Sequence, residues 1–172
     1  EALAHIRQFE SSPQWIFERT GIRERRFVTP ETATSDLAIE AAEGAIAMSG
    51  VRRDVIDFVI VATVTPDHLA SPPTASLVQY MLELPQASVM DISVACSSFV
   101  IALETGYAKI RSGLARSGLV IGADVMSRIA NQNDRTTLPL FGDGAGAFML
   151  ERTVNGGQDE FGPEAFYSGS DG

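Results

Sequence analysis

Short apolar runs alternate with longer stretches of helical periodicity along the chain, and this alternation constrains the fold more than any other feature. Residues 56–64, IDFVIVATV, form a nearly continuous β-branched run, which is typical of a strand covered on both faces. The same criteria predict a buried strand over 88–95, further strands over 119–124 and 145–152, and helices over 36–49, 74–84 and 97–113. This order of elements predicts an α/β fold with a mostly parallel sheet and helices on both faces.

The predicted helices have identifiable faces and ends. The first of them places its apolar residues on one stripe: Leu37, Ala41, Ala45 and Met48. Gly50 stands where a left-handed C-terminal cap is expected, and Pro85 is expected to end the second helix. The helix over 97–113 is apolar nearly all round at its start, which predicts that this end is buried.

Composition excludes several functional classes. The 172 residues include 22 acidic and 13 basic side chains, a net charge of −9, which disfavours nucleic-acid binding because phosphate contacts require a basic face. One Cys and two His are too few for a Cys-rich zinc framework, and we predict no metal site. No apolar run approaches the ~18 residues that span a bilayer. A single Cys cannot form an internal disulfide, which favours a reducing compartment such as the cytoplasm.

The basic residues are unevenly distributed. Five arginines lie near the start of the chain: Arg7, Arg19, Arg23, Arg25 and Arg26. Such a cluster in an acidic chain suits a compact anionic ligand such as a phosphate group. The more common alternative is a solvated basic face with a few ion pairs.

Cys96 is the strongest candidate for chemistry. It stands in DISVACSSF, between a predicted strand and a predicted helix, where a sharp turn pushes a side chain out at the edge of a sheet. A helix N-terminus stabilises the thiolate, which is the nucleophilic form, and its free N–H groups can hold an oxyanion. The alternative is a buried cysteine that fills space as a small apolar residue.

A nucleophilic thiol usually works with a base, and the chain offers two histidines. His5 lies in a predicted terminal helix, and we interpret it as a surface residue. His68 follows the strand over 56–64 and is therefore expected at the same sheet edge as Cys96. It is a candidate base, or else a residue that lines the pocket or caps its loop.

A glycine-rich segment, LFGDGAGA over 140–147, matches the G-x-G-x-x-A pattern of dinucleotide-binding sites at Gly142, Gly144 and Ala147. That pattern requires a preceding strand and a following helix. A strand is predicted to follow here, so we reject a dinucleotide site. The glycines are expected to allow close backbone approach near a catalytic pocket, or simply to form a tight turn.

Four segments together carry a family resemblance: WIFERTGIRERR from Trp15 to Arg26, VACSSF around Cys96, DRTTLPLFGDGAGA from Asp134 to Ala147, and the closing SDG. They resemble β-ketoacyl-ACP synthase III, the thiolase-fold enzyme that starts fatty-acid synthesis. The resemblance implies that residues 1–172 are one N-terminal thiolase-like half of βαβαβ type, without the first strand and without the C-terminal half. The family's catalytic His and Asn belong to that second half, so no residue here is assigned those roles.

The resemblance implies a nucleophile and a coenzyme A site. Cys96 matches the family's nucleophile. Trp15 and Arg19 match positions that hold the adenine end of coenzyme A, and Arg135 matches an arginine on the opposite side of that adenine. Ser11 falls where the family has a hydroxyl residue near the same nucleotide. Such a sandwich is physically sensible, because a guanidinium plane stacks on aromatic faces.

Other matched positions bear on partners and specificity. Leu69 and Ala70 fall near a loop that, in the family, reaches across a dimer and shapes the partner's acyl pocket. Three arginines remain as candidate contacts for the acidic surface of the carrier protein: Arg23, Arg25 and Arg26. The family commonly has a small residue and then Gly after the nucleophile, where this chain has Ser97 and Ser98. This departure leaves the primer and the acceptor open.

The implied function is decarboxylative condensation of acyl-CoA with malonyl-ACP through an acyl-cysteine intermediate. The resemblance also implies a cytoplasmic homodimer that needs no cofactor beyond these two substrates. One alternative is a starter-unit synthase or acyltransferase of polyketide or other secondary metabolism. An alternative of another class is a non-catalytic thiolase-like subunit that pairs with another chain.

Overall fold

The computed structural model describes residues 12–131, 133–152, 165–167 and 169. Within these ranges, four α-helices and four strands follow one another as α1 Pro13–Thr20, α2 Thr34–Ser49, β1 Phe58–Ala62, α3 Thr74–Met81, β2 Ser88–Ile92, α4 Ser98–Arg111, β3 Ser117–Val125 and β4 Asp143–Glu151. Short 3₁₀ helices cover Arg53–Val55, Met126–Arg128 and Leu138–Leu140. None of the helices in the described ranges is long and apolar enough to cross a membrane.

The strands form one sheet in the order β2-β1-β3-β4. β1 is parallel to both β2 and β3, whereas β4 runs antiparallel to β3. The predicted mostly parallel sheet is therefore confirmed. Because β1, β2 and β3 point the same way, their carboxyl ends meet at one edge, which is where open α/β sheets bind ligands.

Two apolar cores lie on opposite faces of this sheet. Buried residues of α2 and α3 pack with Val59 and Val61 of β1 on one face. On the other face, Ala102 of α4 packs with Phe58 and Ile60 of the same strand. Successive strand residues thus enter opposite cores, which explains why the β1 run is apolar without interruption.

Of the four residues in the apolar stripe predicted for α2, only Ala45 is buried. The buried residues of its apolar face are Ala38, Ala42, Ala45 and Ile46, while Met48 is 91% exposed. Alanines on the inner face allow the helix axis to approach the sheet closely. The larger apolar residues of the predicted stripe therefore do not set the orientation of the helix.

Three further expectations about burial and helix ends are corrected. α3 ends at Met81, four residues before Pro85, because Glu83 adopts a left-handed φ of 57° that a helix cannot continue through. β2 lies at an edge of the described sheet, and its residues are exposed or half-buried rather than buried. At the start of α4, Ser98 is buried but Val100 is 52% exposed, so only one side of that end is covered.

Candidate active site

Cys96 lies in the turn that joins β2 to α4. The preceding residue, Ala95, adopts a φ of 47°, in the left-handed region that residues with a Cβ seldom adopt. Cys96 is exposed and lines an open cavity of about 370 Å³. The turn therefore presents the thiol at the sheet edge as predicted, and the alternative of a buried, space-filling cysteine is wrong.

The cavity is formed mainly by small residues at the carboxyl ends of β1 and β3 and at the amino end of β4. Its walls include Ala62, Gly122, Ala123, Gly142, Gly144, Ala145 and Gly146, with Phe99, Asp124 and Met126 as larger members. Gly144, Ala145 and Gly146 belong to β4, so the glycine-rich segment forms a strand, not the helix that a dinucleotide site requires. The small side chains leave room for a ligand beside the thiol.

A buried hydroxyl holds the turn before Cys96. The Ser98 hydroxyl accepts a hydrogen bond from the Val94 N–H at 2.7 Å and donates one to the Ala95 carbonyl, also at 2.7 Å. Ser98 is only 5% exposed. We call this pair of hydrogen bonds the Ser98 bridge; it connects the two backbone groups on either side of the left-handed residue.

Asp124, at the end of β3, connects two strand ends beside the cavity. Its Oδ1 atom accepts hydrogen bonds from the Thr63 hydroxyl (2.9 Å), the Val64 N–H (2.8 Å), and the N–H and hydroxyl of Thr65 (3.2 and 3.0 Å). The carboxylate therefore fixes the segment that follows β1 against β3. Asp124 also lines the cavity.

Asp143, in the glycine-rich segment, joins three parts of the chain. Its carboxylate accepts hydrogen bonds from the Val28 N–H (2.9 Å) and from the N–H and hydroxyl of Ser127 (2.8 and 2.7 Å). Its own N–H donates to the Arg26 carbonyl at 2.8 Å. These bonds attach the arginine-rich segment to the start of β4.

Arg25 lies against this junction. A Cβ at Gly142 would stand 3.2 Å from the Arg25 Cδ and 3.3 Å from the Arg26 carbonyl, so a side chain there would be crowded. The Nε and Nη2 atoms of Arg25 are shielded from solvent and form no hydrogen bond. This burial lowers the pKa of Arg25. Those two atoms are unsuited to the carrier-protein contact considered for Arg25.

Trp15 lies on α1 with two guanidinium groups beside its ring. The Arg19 Cζ is 4.3 Å from the ring centroid and the Arg135 Cζ is 5.1 Å from it, both within cation–π range. The Ser12 hydroxyl caps α1 by accepting the Trp15 N–H at 3.1 Å. The structure thus brings Arg135 to Trp15 and Arg19, although Arg135 lies 120 positions after Trp15 in the sequence.

The turn that carries Arg135 is held by the carboxylate of Asp134. Its Oδ1 accepts from the N–H (2.8 Å) and hydroxyl (2.6 Å) of Thr136, and its Oδ2 accepts from the Thr137 hydroxyl (2.6 Å). These hydrogen bonds, the Thr136 hydroxyl foremost, lower the pKa of Asp134 to about 2. The carboxylate is therefore charged at every pH above the acid range, and the turn keeps its shape.

The remaining predicted residues lie apart from the cavity or outside the described part of the chain. Leu69 and Ala70 are exposed in the loop between β1 and α3, and the Leu69 side chain is fully accessible. His68 is exposed in the same loop and is not among the residues that line the Cys96 cavity. Ser11 and His5 lie outside the described residues.

Sequence reasoning missed three polar residues of this site. Asp124 is the last residue of the strand predicted over 119–124, and a polar residue at the carboxyl end of an apolar strand often marks the edge of a binding site, so this signal could have found it. The carboxylate of Asp143 was missed because the glycines on either side of it were interpreted only for their backbone freedom. Ser98 was noted only as a departure from a family pattern, because its role depends on a turn conformation that the sequence does not display.

The sequence of this chain matches a known protein family and curated relatives. Residues 90–172 match the family model described as 3-oxoacyl-[acyl-carrier-protein (ACP)] synthase III. A relative named β-ketoacyl-[acyl-carrier-protein] synthase III, from Solibacter usitatus, is 50% identical over 144 residues, which cover 84% of this chain and 43% of that protein. Over most of its length the chain is similar to proteins named β-ketoacyl-ACP synthase III. It spans less than half the length of the curated relatives it matches.

Solved structures agree with this similarity to synthase III proteins. The fold superposes on 3-oxoacyl-[acyl-carrier-protein] synthase III from Aquifex aeolicus with a TM-score of 0.81, at 41% identity, over 85% of this chain and 47% of that one. A priming β-ketosynthase of the R1128 polyketide biosynthetic pathway gives a TM-score of 0.83 at 32% identity, over 89% of this chain and 45% of that one. The predicted thiolase-like α/β fold is confirmed by these superpositions.

Proposed function

We propose that the protein catalyses the decarboxylative condensation of an acyl-CoA with malonyl-ACP, with Cys96 as the nucleophile. The observation that carries this proposal is the position of Cys96: exposed, after a left-handed residue, and lining a cavity of small residues. The similarity to synthase III proteins supplies the reaction class. Trp15 with its two arginines supplies a site for an aromatic, phosphorylated group.

The first step transfers the acyl group to the enzyme. The Cys96 thiolate attacks the thioester carbonyl of acyl-CoA, the bond to the coenzyme A sulfur breaks, and coenzyme A leaves as its thiol after taking up a proton. The Cys96 N–H helps to hold the oxyanion of the tetrahedral intermediate.

The second step forms the carbon–carbon bond. Malonyl-ACP loses CO₂, and the resulting carbanion attacks the acyl-cysteine carbonyl. The Cys96 thiolate leaves, and β-ketoacyl-ACP is released. The His and Asn that assist decarboxylation come from the C-terminal half of the family fold, so the 172-residue chain alone is expected not to condense.

The nucleotide of acyl-CoA is proposed to stack on Trp15. A base held between that ring and the Arg135 guanidinium needs two van der Waals contacts of about 3.5 Å each, or about 7 Å in all. The present separation is 5.1 Å, so Arg135 moves outward when the base enters. Arg19 stays beside the ring and balances phosphate charge.

Acylation is tested by incubating the chain with acyl-CoA and measuring its intact mass, alone and together with a separately produced C-terminal half of the Solibacter relative. A mass increase of one acyl group that disappears in Cys96→Ala supports the proposal. Subsequent addition of malonyl-ACP must release CO₂ and yield a β-keto product. If no Cys96-dependent mass appears even with the second half present, the chain is instead a non-catalytic subunit.

Nucleotide binding is tested with Trp15→Ala. Loss of stacking worth about 1–3 kcal/mol raises the half-saturating acyl-CoA concentration for acylation roughly 5- to 150-fold. Acyl-pantetheine, which lacks the nucleotide, is the matched control and should acylate the wild type and Trp15→Ala at equal rates. An equal loss with both substrates would place Trp15 outside the nucleotide site.

A starter-unit synthase of polyketide biosynthesis is the second candidate function. It is favoured by the superposition on the R1128 priming ketosynthase and by Ser97 and Ser98 in place of the family's common residues. Both candidates share the acyl-cysteine step, so the products formed with malonyl-ACP and with other acceptors separate them.

We further propose a cytoplasmic homodimer in which acyl-CoA and malonyl-ACP are used without an additional cofactor. Leu69 is exposed in a loop whose base is fixed by hydrogen bonds. This loop therefore holds an apolar side chain where a second copy of the chain can contact it. The Asp67 carboxylate accepts from the N–H and hydroxyl of Ser35, and the Asp67 N–H donates to the Thr74 hydroxyl. Sedimentation of the wild type and Leu69→Asp tests this, with a shift toward the monomer expected for the variant.

A further inference from the structure

The Ser98 bridge holds two backbone groups whose separation depends on the conformation of Ala95. The bridged groups are the Val94 N–H and the Ala95 carbonyl, so the φ and ψ angles of both residues lie between them. Rotation of Ala95 away from its φ of 47° changes that separation and breaks at least one of the two hydrogen bonds. A left-handed alanine persists only where its surroundings hold it.

We propose that Ser98 is a positioning residue for Cys96: its hydroxyl holds the left-handed turn that directs the thiol at the thioester carbonyl of bound acyl-CoA. This rests on the proposed function, since it takes acyl-CoA as the donor. Cys96 directly follows Ala95, so a change in the Ala95 dihedral angles swings the thiol relative to the cavity. Ser98 lines the same cavity as Cys96, but its hydroxyl is bonded to the Val94 N–H and the Ala95 carbonyl, so its effect is exerted through Cys96.

Burial makes this hydroxyl hard to replace. Ser98 is 5% exposed, so water does not readily take over its hydrogen bonds when the hydroxyl is removed. The Ala95 carbonyl keeps a second donor, the Ser98 N–H at 3.2 Å, but the Val94 N–H loses the hydroxyl that accepts it. Loss of the hydroxyl therefore frees the start of the turn, on the side of the strand.

The bridge depends on the side chain at position 98. A glycine there would have no side chain with which to connect Val94 and Ala95. Ser97, the neighbouring serine, is exposed, and its side chain caps nothing in α4. The bridge is thus assigned to Ser98 alone.

The test compares Ser98→Ala with Ser117→Ala. Ser117 is the matched control because it is also buried, at 2% exposure, and its hydroxyl donates to the Val55 carbonyl at 2.6 Å, at the opposite end of the sheet. Acylation of Cys96 by acyl-CoA is followed by intact mass in the presence of the C-terminal half of the Solibacter relative. Alkylation of Cys96 by iodoacetamide is measured in parallel, since this small reagent needs no orientation toward the coenzyme A site.

Ser98→Ala is expected to lower the rate of acylation at saturating acyl-CoA about tenfold, because small displacements of a reacting group are costly. The half-saturating acyl-CoA concentration and the alkylation rate should stay within about twofold of wild type, because Trp15 and thiol access are unchanged. In Ser117→Ala, the acylation rate, the half-saturating acyl-CoA concentration and the alkylation rate should all stay within about twofold of wild type. Both variants should lower the melting temperature, because each loses a buried hydrogen bond. The Val94 amide should exchange with solvent at least about tenfold faster in Ser98→Ala.

Three results would overturn the proposal for Ser98. They are an acylation rate in Ser98→Ala equal to that of wild type, an equal loss of rate in Ser117→Ala, or unchanged exchange at Val94. If wild-type Cys96 is alkylated by iodoacetamide but takes no acyl group from acyl-CoA, that result contradicts both the proposed function and the proposal for Ser98.

Discussion

Replacement of glycine by alanine in two helices should have effects of opposite sign on stability. Gly44 lies on the exposed side of α2, and a Cβ built there meets no atom within 4 Å. Gly106 lies in α4, where a Cβ would stand 2.9 Å from the Leu150 Cδ1, 3.0 Å from the Val120 Cγ2 and 3.2 Å from the Phe58 Cε2. These distances are all shorter than the ~3.5–4.0 Å of an ordinary carbon contact.

The expected magnitudes follow from helix propensity and packing. Alanine is about 1 kcal/mol more favourable than glycine inside a helix, so Gly44→Ala should raise the free energy of unfolding by about that amount. Gly106→Ala has the same gain but adds an overpacking cost of about 1–3 kcal/mol, because three side chains must move. We expect a net loss of about 1 kcal/mol, so the two variants should differ by about 2 kcal/mol.

Urea unfolding of the 172-residue chain, followed by circular dichroism, measures both variants on one scale, with equal m-values as the condition for comparing them. The comparison bears on the site because α4 begins at Ser98, two residues after Cys96. A Gly106→Ala variant as stable as Gly44→Ala would show that α4 is not seated closely on the sheet. That result would refute the overpacking predicted for Gly106.

Two further substitutions test electrostatic contributions. Thr136→Val removes the main hydrogen-bond donor to Asp134 and should raise the pKa of that carboxyl from about 2 toward 3.8, as measured by NMR titration. Because the pKa of Asp134 is lowered on folding, its contribution to stability is present above its ordinary pKa and is lost as the pH falls toward 2. In Thr136→Val that contribution should be smaller, and its loss should be complete at a higher pH. Asp91→Ala removes the carboxylate that accepts the first two N–H groups of α3 (2.7 and 2.8 Å) and should cost about 1–2 kcal/mol in urea unfolding. Asp54→Ala, which removes only an exposed ion pair with an arginine, is the control and should stay within about 0.5 kcal/mol of wild type.

Local patterns were enough to predict the layers of the fold and the place of the nucleophile. The β1 run and the helical segments on either side have the periodicities of their final structures, so the sheet and its two covered faces could be inferred. Cys96 was found because a strand pattern changes to a helix pattern at that residue. The grouping of Trp15 with Arg135, by contrast, was available only through the family resemblance, since nothing local connects positions so far apart.

The errors arose where long-range contacts decide the local outcome. Met48 fits an apolar stripe as well as Ala38 does, and only the contact with the sheet selects the alanine face. The end of α3 depends on the left-handed φ of Glu83, a conformation that its residue type does not predict. Arg25 looks in the sequence like its neighbours, yet it is partly buried because Gly142 lets the backbone of a distant segment come close.

Hydrogen bonds attach the segment that follows α1 to the strand beside Cys96. Both main cores lie between the sheet and its helices, and α1 contributes to neither of them. The segment after α1 is instead attached to β4 through Asp143, whose neighbours Gly142 and Gly144 line the Cys96 cavity. Hydrogen bonds are directional, so they fix a distance and an orientation together, whereas apolar contacts tolerate sliding. Asp143 therefore provides a directional connection between the segment that follows α1 and the strand that lines the Cys96 cavity.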